Sequence, residues 1–394
     1  MNSKNIGVLW MTFSYKKFLL STAFALACLP FGANALETKA KQAILMDFDT
    51  GTVLFEKNAE QPMPPASMSK LMTAYIIFDK LNNGSLAMDD VFTVSENAWR
   101  KGGAKTGSST MFLKINDKVK LKDLLRGIIV QSGNDACIVA AENIAGSEKE
   151  FVEIANKKAE ELGLTETHLV NSTGWPHPDH KMSPRDLAVL AQRLIRDFPE
   201  YYNIYSEKSF KYNGIWQENR NPLLFSMPGV ADGIKTGHTS VSGYGLTASA
   251  KKDGRRLILV INGLKTMKER GQEAERLIYW GFRDFDNYTV LKKDIRVVSV
   301  PVWLGEQKTV AAVPEEDLIL TLQKGAQKDI RAVVSYEEPL KAPIKKGQKI
   351  ATLTLQVPER ESIVVDLVAA NDVKKLGYYG RLKETIKYLL FKEN

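Results

Sequence analysis

A serine and a lysine three residues apart, in Pro65-Ala66-Ser67-Met68-Ser69-Lys70, are the pair in this sequence best suited to covalent chemistry. A serine hydroxyl is a weak nucleophile until a neighbouring base takes its proton, and a lysine amine can be that base if it is neutral. The spacing supplies the contact. Apolar side chains recur at helical spacing from Leu71 through Phe78 to Leu81, between Pro64-Pro65 and Asn83-Gly84, so Ser67 opens a helix and Lys70 lies one turn along the same face. By itself the pair also reads as an N-cap serine followed by a solvated lysine. Two further short motifs argue for chemistry: Ser132-Gly133-Asn134, at a break between helical stretches, and Lys235-Thr236-Gly237, ahead of a strand hairpin.

Bringing three distant motifs together requires a mixed fold. Residues 43–47 and 53–56 read as a β-hairpin about Asp49-Thr50-Gly51. Helices are expected over 122–130 and 135–145, on either side of the Ser132 break, and over 149–162. Ser183-Pro184-Arg185-Asp186 begins another, with proline in the first turn and an acid at the capping-box position. An alternating strand over 244–250, a turn at Asp253-Gly254 and an apolar strand over 257–261 form an antiparallel hairpin, which puts Lys235 on or beside an adjacent strand. A helix over 269–279 ends at Gly281. The fold class implied is α/β of the α+β kind, a central antiparallel sheet flanked by helices.

Two other motifs are set aside. Lys105-Thr106-Gly107 repeats the third motif, but it precedes Ser132 in a Gly- and Ser-rich loop, and Ser108 follows where a phosphate-binding loop needs lysine. His177, Asp179 and His180 crowd one proline-rich loop over 171–184, which falls short of the geometry a zinc site demands, so no metal is expected.

In their order and gaps the three motifs resemble those of the penicillin-recognising acyl-serine enzymes. The longer words Pro65-Ala66-Ser67, Gln131-Ser132-Gly133-Asn134-Asp135-Ala136 and Asp232-Gly233-Ile234-Lys235-Thr236-Gly237-His238-Thr239, with Gly243-Tyr244 beyond, resemble the D-alanyl-D-alanine carboxypeptidases of the penicillin-binding protein 5 type. The resemblance covers essentially the whole mature chain. It implies a serine transpeptidase-like domain, a small all-β domain and a C-terminal amphipathic anchor. The implied activity removes the last D-alanine from peptidoglycan pentapeptide stems, with β-lactam antibiotics as covalent inhibitors and no cofactor.

The residue types suit that chemistry. Ser67 would attack and Lys70 take its proton, while Ser132 would relay a proton to the departing amine. The Asn134 amide would hold the substrate backbone, Lys235 and Thr236 the terminal carboxylate, and Gly237 would keep the strand face clear. The resemblance adds an oxyanion site between the backbone amides of Ser67 and His238, and a downstream arginine for the carboxylate. Arg270 lies at about the right distance, with Lys268 as a competitor. A D,D-endopeptidase would carry the same motifs. A class A β-lactamase would need a Glu-x-x-Leu-Asn element between the second and third motifs, where none occurs. A non-catalytic cell-wall binding protein is opposed by the intact nucleophile and both lysines.

The 394 residues suffice for two domains. Residues 1–35 hold Lys4, Lys16 and Lys17 without an acid, then an apolar run and Ala33-Asn34-Ala35, the pattern of a secretory signal cleaved after Ala35. Its loss lowers the formal charge from +8 by three, to +5. That excess is modest and, in an exported protein, does not imply nucleic acid. One cysteine, Cys137, remains in an apolar helical run and reads as a core residue; with no internal disulfide available, stability must come from packing.

Domains are expected at 36–290 (catalytic), 291–370 (all-β, from short runs at 296–304, 318–322, 330–335, 349–357 and 362–368) and 371–394. The last places Leu382, Ile386, Leu389 and Leu390 on one side of a helix with six basic residues against three acidic ones, an interfacial membrane helix. The expected location is the periplasmic face of the bacterial inner membrane, as a peripheral protein.

Overall fold

An unbroken apolar run such as Leu257-Ile258-Leu259-Val260-Ile261 calls for a strand covered on both faces. In the computed structural model, which describes residues 6–11, 36–358 and 360–391, that run lies in the middle of a five-stranded antiparallel sheet. Its strands are β1 (Gln42–Asp47), β2 (Val53–Lys57), β3 (Ala231–Thr239), β4 (Gly243–Lys252) and β5 (Arg255–Leu264), in the order β2-β1-β5-β4-β3. Alternation along β5 divides the core. Ile258 and Val260 join the helical side, whereas Leu257, Leu259 and Ile261 pack with Ala274, Leu277 and Ile278 on the other face.

Four helices matter for the site: α1 (Lys70–Asn82), α2 (Asn134–Ala145), α3 (Pro184–Asp197) and α4 (Met267–Asp284). Ser183 caps α3 by accepting from the Asp186 N–H at 3.0 Å. The sequence pattern ends α4 at Gly281, but the helix runs through it. A Cβ there would lie 2.8 Å from the methyls of Leu257 and Leu45, so this glycine permits close packing on the sheet rather than a stop.

Two local departures concern the motifs directly. Ser67 sits in a 3-10 turn, Ala66–Ser69, and α1 proper starts at Lys70. A 3-10 turn nearly eclipses residues i and i+3, which serves the Ser67 to Lys70 contact better than an α-turn. The helix expected over 122–130 is an α-helix only over Leu121–Arg126 and continues as a π-helical turn, Gly127–Gln131, into Ser132 at φ +66°. That widened turn ends the helix and turns the chain into α2.

The described residues divide into two compact units, one over 36–283 and a second made of those from Asp284 onward with Ile6–Met11. The second holds a seven-stranded sheet and its own core of Val300, Val310, Val334, Leu353, Leu355 and Leu367, among others. Phe285–Leu291, expected from the sequence at the end of the first domain, pairs here with Leu318–Gln323. The secretory signal lies outside the described residues except for Ile6–Met11, an antiparallel strand beside Arg331–Glu337. The terminal helix is α5 (Tyr378–Phe391), shorter than expected. Val373 is buried and bridged to Ile344, which holds the preceding residues in extended form, and residues 392–394 lie outside the described set. Among the described residues no helix is long and apolar enough to cross a membrane.

Candidate active site

Three chain segments meet at the Lys70 amine. Its Nζ lies 2.9 Å from Ser67 Oγ and 2.7 Å from Asn134 Oδ1, and it also donates to the Thr173 carbonyl. Lys70 is 1 % exposed. Burial lowers its pKa from 10.5 to about 8; Arg220 adds to the fall, while Cys137 and Asp135 oppose it. A neutral amine has two N–H donors and one lone pair. With two carbonyl oxygens to accept the donors, the lone pair is left for the Ser67 hydroxyl.

The second motif is set by backbone packing. The Asn134 N–H donates to the Ser109 carbonyl at 2.8 Å, and the buried Asp135 carboxylate accepts from the N–H groups of Met111 (2.9 Å) and Leu113 (3.2 Å) and from the Thr110 hydroxyl (2.5 Å). Burial raises the Asp135 pKa against these hydrogen bonds, which lower it. The loop over 109–113 is thereby tied to the start of α2. Since Asn134 Oδ1 faces Lys70, its amide nitrogen is free of that contact. Ser132 Oγ is buried with no hydrogen-bond partner among the described residues.

The third motif lies on β3, paired with β4 through Lys235 to Thr247 and Gly237 to Gly245. A Cβ on Gly237 would fall 2.8 Å from the Pro65 carbonyl oxygen, so glycine lets β3 press against the turn that carries Ser67. Lys235 is buried, with Nζ 3.3 Å from the Thr236 carbonyl. Its pKa is driven well below 10.5 by burial first, then by Lys70, Arg220 and Arg270. The Lys70 charge is thus one of those that oppose a proton on Lys235.

Above these groups opens a cleft of about 470 Å³ whose wall includes Ser67, Ser132, Asn134, Thr236, Gly237, His238 and Arg270. Lys70 and Lys235 lie beneath it. Arg270 is buried, its guanidinium 5.8 Å from the Tyr244 ring centroid, with burial lowering its pKa to about 10. Lys268 is exposed and not part of the wall, so of these two residues it is Arg270 that lines the cleft. The His238 ring stacks on Tyr244 at 3.9 Å.

Sequence reasoning missed Arg220. It lines the cleft, donates to Ser109 Oγ, and its carbonyl accepts from Arg270 Nη2 at 3.2 Å. Nothing in Asn219-Arg220-Asn221 distinguishes it from a surface arginine; only the buried asparagines on either side hint at its setting. The loop holding Lys105-Thr106-Gly107 does reach the site, through Gly107, Ser108 and Ser109, although Lys105 itself lies over the Trp99 ring. The loop over 171–184, set aside above as a metal site, supplies the Thr173 carbonyl instead. Among the described residues no group of three or more His, Cys, Asp or Glu side chains is arranged to hold a metal ion.

Comparison with known proteins decides the family. The family model described as D-alanyl-D-alanine carboxypeptidase matches residues 30–266. The chain belongs to this family. A second model, the penicillin-binding protein 5 C-terminal domain, matches residues 285–375 of this carboxypeptidase-family chain. The D-alanyl-D-alanine carboxypeptidase DacC of Escherichia coli K12 is 41% identical over 351 residues, 89% of this chain and 88% of the relative. The crystal structure of penicillin-binding protein 5 from Haemophilus influenzae aligns with TM-score 0.77 at 37% identity, covering 87% of this chain and 100% of that one. Penicillin-binding protein D2 from Listeria monocytogenes, solved in an ampicillin-bound form, aligns with TM-score 0.55 at 28% identity over 63% of this chain and 98% of its own.

Proposed function

We propose that this member of the D-alanyl-D-alanine carboxypeptidase family removes the terminal D-alanine from peptidoglycan stem pentapeptides through an acyl-enzyme on Ser67. The observation that carries the reading is the Lys70 amine, 2.9 Å from Ser67 Oγ with its remaining donors taken by Asn134 and Thr173. The Ser67 hydroxyl gives its proton to Lys70 as the bond from Oγ to the penultimate D-alanine carbonyl carbon forms. The C–N bond then breaks, and the departing amine takes the proton by way of Lys70 and Ser132. Water hydrolyses the ester, restoring Ser67 and releasing the shortened stem.

Charge placement supports the order of events. Arg220 and Arg270 in the cleft wall, with Lys235 beneath it, form the cationic side of the site, and the Thr236 hydroxyl adds a neutral donor, a set suited to a free carboxylate. A docked carboxylate holds a proton on Lys235, and repulsion between the lysines then keeps Lys70 neutral. The oxyanion is assigned to the backbone amides of Ser67 and His238, and the substrate backbone to the Asn134 amide. β-Lactams would acylate the same serine, as the ampicillin-bound relative suggests for the shared fold.

The remaining assignments concern placement. Residues 1–35 serve as a cleaved secretory signal, leaving a catalytic domain that ends near Arg283, an all-β domain that begins at Asp284, and an amphipathic tail from Tyr378. The tail holds the enzyme at the periplasmic face of the inner membrane. Exposed Tyr378, Tyr379, Leu382, Ile386 and Leu390 on α5 support an interfacial contact.

The test is incubation with a diacyl-D-Ala-D-Ala peptide and measurement of released D-alanine, alongside a cross-linked peptide to detect endopeptidase cleavage. Release from the first peptide and loss of that release in Ser67→Ala is the expected result. No release by the intact chain would refute the reading.

A further inference from the structure

We propose that His180 is a positioning residue for acyl transfer: through Ser69 it fixes the Ala66–Ser67 peptide so that the Ser67 N–H is held toward the oxygen of the attacked carbonyl. The inference rests on the assignment of that N–H as an oxyanion donor.

A short relay of hydrogen bonds carries the argument. The Val170 N–H donates to His180 Nδ1 at 3.1 Å, which makes Nε2 the protonated nitrogen of a neutral ring. Nε2 lies 3.0 Å from Ser69 Oγ, and the Ser69 hydroxyl donates to the Ala66 carbonyl oxygen at 3.0 Å. His180 and Ser69 are both buried. A serine bonding back to a carbonyl one turn earlier is ordinary in helices. Here the hydroxyl is also held from its other side by an imidazole whose second nitrogen is already committed.

The peptide so gripped is the one that matters. In a trans peptide the C=O and N–H point in opposite directions, so fixing the Ala66 oxygen fixes the direction of the Ser67 N–H. An amide whose carbonyl accepts a hydrogen bond is also polarised into a better donor. Ala66 adopts φ +49°, unusual for a residue with a Cβ, and such a conformation lasts only where its surroundings impose it. Those surroundings are visible. A Cβ on Gly174 would lie 2.0 Å from the Ala66 oxygen, so the Thr173 loop crosses directly over this carbonyl. Burial first, then the charge of Lys70, lowers the His180 pKa to about 4, which keeps the ring neutral and the relay in one sense at working pH.

The experiment uses the full chain with penicillin as acylating probe. His180→Leu and Ser69→Ala each break the relay, while His180→Gln can accept from Val170 and donate to Ser69. Acylation should slow about tenfold or more in the first two, recover to within about threefold in His180→Gln, and fall no further in the His180→Leu/Ser69→Ala double variant than in Ser69→Ala alone. The infrared stretch of the acyl-enzyme ester carbonyl should move to higher wavenumber in both relay-breaking variants and stay near wild type in His180→Gln, because a misaligned donor bonds the carbonyl oxygen more weakly. Should His180→Leu not fold, Ser69→Ala makes the same test. Slower acylation with an unchanged stretch, or wild-type behaviour in both variants, overturns the proposal while leaving the Ser67 acyl-enzyme standing. A wild-type chain that gains no adduct on Ser67 overturns both.

Discussion

Acylation of Ser67 should rise with pH through a group of apparent pKa near 8, because the base must be neutral and burial lowers Lys70 to about that value. With this pKa, about one amine in eleven is neutral at pH 7 and about ten in eleven at pH 9, a gain of roughly tenfold in rate. An ordinary lysine at ~10.4 would be neutral in only about one molecule in 2,500 at pH 7, and its rate would still climb tenfold per unit at pH 9. Second-order acylation rates measured with a penicillin between pH 6 and 9.5 separate the two cases. A flat profile, or one still rising tenfold per unit between pH 9 and 9.5, would refute the assignment of Lys70 as base.

The same shift has a stability counterpart with a definite sign. Below about pH 8 the amine is protonated in both folded and unfolded chains, and the fold bears the full cost of burying the charge. A drop from 10.5 to about 8 corresponds to about 3 kcal/mol. Between those pH values the unfolded chain binds more protons, so stability rises with pH until the cost is gone above 10.5. Relative to Lys70→Met, wild type should therefore gain about 2 to 3 kcal/mol in urea unfolding between pH 7 and 10.

Other perturbations probe separate parts of the site. Ser67→Ala should lose both D-alanine release and penicillin labelling, read by mass spectrometry, with a melting temperature within a few degrees of wild type. Arg270→Ala should raise KM for peptides with a free terminal carboxylate by about tenfold or more, from loss of a charge-assisted contact, and affect a carboxylate-free thioester much less. Gly174→Ala combines a positive φ of 76° with a Cβ 2.0 Å from the Ala66 oxygen, and urea unfolding should show a loss of more than about 2 kcal/mol. Removing residues 378–394 should release the protein from the membrane fraction, as judged by immunoblot of soluble and pelleted material.

What the sequence showed was side-chain identity at short range. Ser67, Lys70, Asn134 and Lys235 stand in motifs of recognisable side chains, and the strands carrying Thr247 and Leu257 betray themselves by alternation and by an unbroken apolar run, which puts Lys235 on or beside the next strand. Backbone contributions leave no such trace. The Thr173 carbonyl that accepts from Lys70 could belong to any residue, and its loop reads in sequence as a crowd of histidines and prolines. Arg220 reaches the cleft because the chain folds back beside Ser109 from 111 residues away, a pairing set by tertiary packing. The π-helical turn before Ser132 is equally hidden, since one extra residue in a turn barely disturbs apolar periodicity.

The partners of Lys70 unite these points. Ser67 arrives from the preceding turn, Asn134 from the start of α2 and the Thr173 carbonyl from a loop, the last two 64 and 103 residues distant along the chain. An amine held by three segments cannot relax toward solvent without giving up two acceptors, so its burial, and with it the lowered pKa, is a property of the assembled fold. The cleft wall holds no Asp or Glu among the described residues, and its imidazole, His238, is stacked on Tyr244, whereas the Lys70 amine lies 2.9 Å from Ser67 Oγ and is the base placed to take the serine proton. Where a β-lactam acyl group blocks the water's approach to Lys70, the adduct should therefore be long-lived, and mass spectrometry showing rapid loss of the Ser67 adduct would refute this.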